Sequence, residues 1–153
     1  MENQQNIDVL NNLVEINNDR IEGYRKALDE TSDADLKILF SQFLQNSQKC
    51  KTELISELTL IGGTPVEGTR TSGKFYRAWM DIKAALTGND REAVLNSCEY
   101  GEDVAVGTYR DVLKDDIGKI SVAQQTLINS QYNLLQGDHN KVKEIRNAMA
   151  NKK

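Results

Sequence analysis

Apolar side chains recur along this chain at alternating steps of three and four residues, the spacing that lines one face of an α-helix. The first seam reads Ile7, Leu10, Val14, Asn17, Ile21, Tyr24 and Leu28, and predicts a helix from Ile7 to Glu30. Thr31, Ser32 and Asp33 follow it and are suited to cap the next helix. A second seam, Leu36, Phe40, Phe43, Ser47, Cys50, Leu54, Leu58 and Ile61, predicts a helix from Asp33 to Ile61. Gly62 and Gly63 stop it, and Pro65 prevents its resumption. The next stretch, "GGTPVEGTRTSG", has loop composition. In "KFYRAWMDIKAAL", Phe75, Trp79, Ile82 and Leu86 mark a short amphipathic helix that Gly88 ends. Asn89 and Glu92 then form a capping-box pattern. It precedes a third long helix, Asp90 to Lys114, with the seam Leu95, Cys98, Glu102, Ala105, Tyr109 and Val112. After the turn "KDDIGKI", Ser121 and Gln124 form another capping box. The fourth helix runs to Met149 through Gln124, Ile128, Gln131, Leu135, Asp138, Val142 and Ile145, and the final "NKK" frays.

The connections predict how these helices meet. Short turns join the first helix to the second and the third to the fourth, so each pair is antiparallel. The middle connection is long and carries its own helix, so it can cross the bundle from end to end. The expected fold is therefore all-α: a single domain over residues 1–153, a ferritin-like four-helix bundle with one long crossover between helices two and three.

Polar residues interrupt the seams at mid-helix depth, and they are the candidates for chemistry. A di-metal bundle draws one Glu from each of two helices and a Glu-x-x-His unit from each of the other two. The mid-depth positions here are Asn17, then Ser47 and Cys50, then Glu102, then Gln131 with Leu134 three residues on. That leaves one hard-metal ligand, Glu102, and the chain holds no Glu-x-x-His or His-x-x-Glu. Its single histidine, His139, lies off the centre of the last seam beside Asp138. Glu15, Asp19 and Glu22 cluster on the first helix but project away from its seam, as a solvated face does. Glu99 precedes Glu102 by three residues and lies off the seam. The expected site is thus a buried polar network of Asn17, Ser47, Cys50, Glu102 and Gln131, with no metal ligand set. An isolated ionised Glu102 would cost several kcal/mol, so it needs a partner or a proton. The Asn17 and Gln131 amides, the Tyr24 and Tyr109 hydroxyls and an inward-reaching Arg20 are the partners on offer.

Composition narrows the function classes. The chain has a formal net charge of −4, which argues against a broad nucleic-acid-binding face. No run reaches the roughly 20 apolar residues that span a membrane. The opening "MENQQNIDVL" has neither the basic end nor the apolar block of a secretory signal. The two cysteines, Cys50 and Cys98, lie far apart on separate seams and are expected as reduced, buried thiols in a cytoplasmic protein. No phosphate-binding glycine loop or hydrolase nucleophile elbow is present. The aromatics Phe75, Tyr76 and Trp79 are expected to dock the crossover helix.

The segments "NDRIEGYRKAL", "LIGGTP", "WMDIKAALTGND", "CEYGEDVAVGTYRDVL" and "QYNLLQGDHNKVKEIRNA" together resemble an uncharacterised family of bacterial ferritin-like four-helix-bundle proteins. The resemblance implies the bundle, a bacterial source and a domain of unknown function, with relatives linked to general stress. It supplies no catalytic residue. Glu102, Gln131 and His139 match recurring positions of that family, whereas Asn17 and Arg20 are more polar than is usual for it. The expectation is a non-enzymatic bundle with a degenerate, metal-free core and no cofactor. It would act through a second copy or a helical partner. The alternative is an atypical metal-binding protein or oxidoreductase using Glu102.

Overall fold

The computed structural model describes residues 2–68, 80–85, 88 and 90–151. Within them the chain forms four long helices, α1 (Glu2–Glu30), α2 (Ala34–Leu60), α3 (Arg91–Asp115) and α4 (Val122–Asn151). Residues 80–85 are also helical, and a 3-10 turn, Ile117–Lys119, lies between α3 and α4. Among the described residues no helix is long and apolar enough to cross a membrane.

Local chemistry sets the helix ends. Asp33 caps α2, its carboxylate accepting from the Asp35 and Leu36 amides. At the other end Gly62 takes a left-handed backbone (φ +76°), the Gly63 amide donates to Leu58 O and the Gly62 amide to Thr59 O. That double closure satisfies carbonyls the helix would otherwise leave open. Ser121 and Gln124 make the reciprocal capping box, each backbone amide donating to the other's side chain. Three features of the helix ends differ from the sequence pattern, one being that α4 runs on to Asn151 past the expected end at Met149. The first helix begins at Glu2, not Ile7, with the Asn3 side chain donating through Nδ2 to Ile61 O at the end of α2. The cap of α3 is Asp90, which accepts from the Ala93 amide. Asn89, Phe75, Tyr76, Trp79 and Leu86 lie outside the described residues, so the aromatic dock is not among them.

Side-chain pairings give the helix directions. On α1 and α3, Asn17 meets Tyr109 and Arg20 meets Glu102, so these two helices are antiparallel. On α2 and α4, Asn46 meets Asp138 and Glu53 meets Gln131, so these are antiparallel too. With Asn3 near Ile61, α1 and α2 are also antiparallel. It follows that α2 and α3 point the same way, so the connection between them begins and ends at opposite ends of the bundle. Its first part runs beside α1. The Asn11 side chain exchanges hydrogen bonds with Thr64 O and the Val66 amide, and Asn18 donates to Val66 O and Gly68 O. Its last part places Ile82 and Ala85 against the apolar cluster around Phe40 and Val94.

The apolar interior falls into two clusters. One gathers Leu10, Leu13, Leu54, Leu58, Val112 and Ile128, and the other Tyr24, Phe40, Phe43, Leu95, Cys98 and Val142. Between them, in sequence position on every helix, lie polar side chains.

Candidate functional site

Each of the four helices sends a side chain into the boundary between the apolar halves. From α1 comes Arg20, the largest of the fully buried side chains. Its Nε donates to Glu102 Oε2 at 3.0 Å and its Nη2 to Glu102 Oε1 at 2.6 Å, a two-pronged clasp on α3. The same Nη2 donates to Asp138 Oδ2 on α4 at 3.0 Å. Asn46 of α2 completes the ring, its Nδ2 donating to Asp138 Oδ1 at 2.9 Å and Oδ2 at 3.1 Å. The guanidinium also lies 5.9 Å from the centre of the Tyr24 ring, within cation–π range. Arg20 and Glu102 have no exposed surface and Asp138 is 4 % exposed.

A second polar layer runs parallel to the first. Asn17 Nδ2 donates to Tyr109 Oη at 2.9 Å, and Tyr109 Oη donates to Gln131 Oε1 at 2.7 Å. Gln131 Nε2 in turn donates to Cys50 O and to Glu53 Oε1. The register of the two layers is regular. Glu102 and Tyr109, Gln131 and Asp138, and Asn46 and Glu53 are each seven residues apart, two helical turns or about 10.5 Å along the axis. On α1 the corresponding step, Asn17 to Arg20, is three residues. The long arginine side chain makes up the difference.

The charge balance is uneven. Two carboxylates share one guanidinium in a dry interior. Burial pushes the Glu102 carboxyl above its ordinary value; Arg20 opposes the shift, and Asp138 adds to it as a like charge. Burial alone would lower Arg20, but attraction to Glu102, then Tyr24 and Asp138, outweighs it and holds the guanidinium charged. Burial also pushes the Tyr24 and Tyr109 hydroxyls well up, so both stay protonated, and Tyr109 is the one that donates, to Gln131. The Cys50 thiol is pushed up to about 11 and Cys98 is raised further, in both cases mainly by burial. Both are free thiols.

The five residues expected as one network are all buried, yet they are divided. Asn17, Gln131 and the carbonyl of Cys50 belong to the Tyr109 layer. Glu102 belongs to the Arg20 layer. Ser47 stands apart from both layers: its hydroxyl donates to Phe43 O within its own helix. Glu102 therefore does not bond the Asn17 or Gln131 amides; Arg20 clasps it. Asp138, counted outside the mid-depth set from the sequence, is a second inward carboxylate, and its place on the fourth seam was the signal for it. Asn46 and Glu53 are members that no seam position announced. Asp19, read as solvated, is 5 % exposed. The crossover at Val66 and Gly68 covers that side of α1, as its bonds to Asn18 show.

Chemically, the central cluster is an internal ion pair with one surplus negative charge. The two carboxylates that could face a cation are already engaged by one that is part of the chain.

No curated protein matches this sequence. The family model for a domain of unknown function, DUF2383, matches residues 5–115. The match takes in nearly all of α1 and the whole of α2 and α3, and so Arg20, Asn46, Glu102 and Tyr109, while Gln131 and Asp138 lie beyond it. Since it covers well over half of the sequence, the chain belongs to the DUF2383 family.

Proposed function

We propose that this protein is a non-enzymatic, ferritin-like bundle whose interior is closed by its own cation, and that it acts through its surface, by association with a second copy or a helical partner. The observation that carries this reading is the Arg20 guanidinium, hydrogen-bonded to both Glu102 and Asp138 at the centre of the bundle. A di-metal bundle needs several anionic oxygens converging on two cations. Here the inward acids of α3 and α4 converge on an arginine of α1, with Asn46 of α2 as the other donor to Asp138. The one-crossover order of helices supports the ferritin-like placement. A bacterial source and a role in stress rest on the family resemblance of the sequence segments, and a cytoplasmic setting on the two free, buried thiols.

Elemental analysis of untagged protein purified without chelator, in wild type and Glu102→Ala, tests the reading of the interior. We expect no metal whose retention depends on Glu102. Two iron or manganese ions per chain, lost on Glu102→Ala, would overturn it.

A further inference from the structure

Outside the interior, a different set of donors converges between α3 and α4. Glu99 and Asp103 are four residues apart on α3 and so share one face. His139, the neighbour of Asp138 on α4, points its imidazole at both. The ligand atoms of the three residues all lie within 4.8 Å of one another. His139 Nε2 is 2.5 Å from Asp103 Oδ1 and 4.0 Å from Glu99 Oε1. Nε2 is itself buried, yet the contact with Asp103 is not aligned as a hydrogen bond, and this nitrogen has no hydrogen-bond partner. The other ring nitrogen, Nδ1, faces Asn140 Oδ1 at 3.4 Å. A proton on Nδ1 directed there leaves the Nε2 lone pair aimed at the two carboxylates, the arrangement in which a metal-binding histidine is held by a second acceptor. Glu99 and His139 side chains are 14 % and 15 % exposed, while Asp103 is 59 % exposed, so the cluster opens to solvent on one side only.

We propose that Glu99, Asp103 and His139 bind one first-row divalent cation of the zinc type, held between α3 and α4 with solvent completing its shell. One imidazole and two carboxylates form a borderline donor set, which suits zinc, cobalt or iron(II) better than magnesium or calcium. The two acids supply the charge of a divalent ion. Metal–ligand distances of about 2 Å place neighbouring donors roughly 3 Å apart. The Asp103 carboxylate therefore has to draw back from Nε2 by well under its own length, which its exposure permits. Arg146 is the competitor: its Nη1 pairs with Glu99 Oε2 and must share that carboxylate with the ion. The site is separate from the interior cluster, since none of its three ligands bonds Arg20.

Untagged, chelator-stripped full-length chain titrated with zinc chloride by calorimetry tests this, with cobalt(II) absorption as a second probe. His139 is the single histidine, so the Nε2 signal of its ring in a nitrogen-15 spectrum reports the site directly. We expect one zinc per chain, saturating below about 1 mM, with the His139 ring signal shifting in step. His139→Ala and Asp103→Asn each weaken binding by about tenfold or more, and Arg146→Met strengthens it by freeing Glu99. Asp103 is exposed, so its replacement leaves the fold intact. Weaker binding, an unmoved ring signal, or affinity that survives either ligand substitution overturns the proposal. Its outcome is distinguishable from that of the interior test, which reads dependence on Glu102.

Discussion

Arg20 is the residue on which the interior turns, because it is the cation facing both Glu102 and Asp138. Removing it alone strands two carboxylates where water does not reach. Arg20→Met should therefore cost about 3–5 kcal/mol in urea unfolding. Removing all three charges together, as Arg20→Met with Glu102→Leu and Asp138→Leu, should recover most of that loss, since apolar side chains often replace a buried ionic cluster without penalty. A triple variant no more stable than Arg20→Met would show that the charges do not balance one another. The pH dependence has a definite sign. The Glu102 carboxyl lies above its ordinary value in the fold, so the folded state holds this proton more tightly than the unfolded chain does. Its contribution is fully present below the unfolded value of about 4.3 and is lost as pH rises through the folded one. Asp33 has the opposite sign. Burial acts to raise it, but Arg91 and the Leu36 and Asp35 amides outweigh burial and hold it below its ordinary value. Its contribution is present above about 3.9 and is lost as pH falls through the folded value. Unfolding free energies measured across this range should decline less steeply on the alkaline side in Glu102→Gln and on the acid side in Asp33→Asn. A Glu102→Gln protein that keeps the full alkaline-side slope would assign it to another group.

At the scale of elements, stability is decided where helices stop and touch. Gly63 closes α2 so tightly that an added Cβ would lie 2.9 Å from Leu58 Cδ2 and 3.0 Å from Ile7 Cγ1. Gly63→Ala should push α1 away from the end of α2 and cost about 1–3 kcal/mol. Gly137, inside α4, meets nothing within 4 Å of such a Cβ, so Gly137→Ala should gain about 0.5–1 kcal/mol from helix propensity. Chemical denaturation of the two variants beside wild type checks both signs. These local features were legible in the sequence: the Gly62–Gly63 stop, the Ser121–Gln124 box and the seams all act over a few residues. The pairing of Arg20 with Asp138 was not legible, since it joins positions 118 apart. A 3.6-residue period says which side chains face inward; it does not say which depth on one helix meets which depth on another. The period also misled on Asp19, because it assumes one buried stripe. α1 is covered on a second side by the crossover, and Ile16 to Ile21 are all buried.

On the scale of the whole molecule, the ionic layer separates two apolar halves that the same four helices run through. Opening one half alone would break long helices in the middle and expose Arg20, Glu102 and Asp138 to half an interface, so the halves should open together. The two cysteines are native reporters of this, one in each half: Cys50 with Leu54 and Leu58, and Cys98 with Leu95 and Phe43. Burial pushes Cys50 up to about 11 and Cys98 higher still, so neither offers appreciable thiolate near neutral pH while the bundle is closed. Each reacts with a disulfide reagent only through opening. Labelling rates of single-cysteine variants Cys50→Ala and Cys98→Ala, corrected for unfolded-state reactivity, should give opening free energies that agree within about 1 kcal/mol. Arg20→Met should then accelerate both thiols by the same factor, because the charge it strands lies at the boundary the halves share. Faster labelling of Cys98 alone would mean that the half packed against residues 82–85 opens independently, and that the ionic layer divides the bundle where it was expected to bind it together.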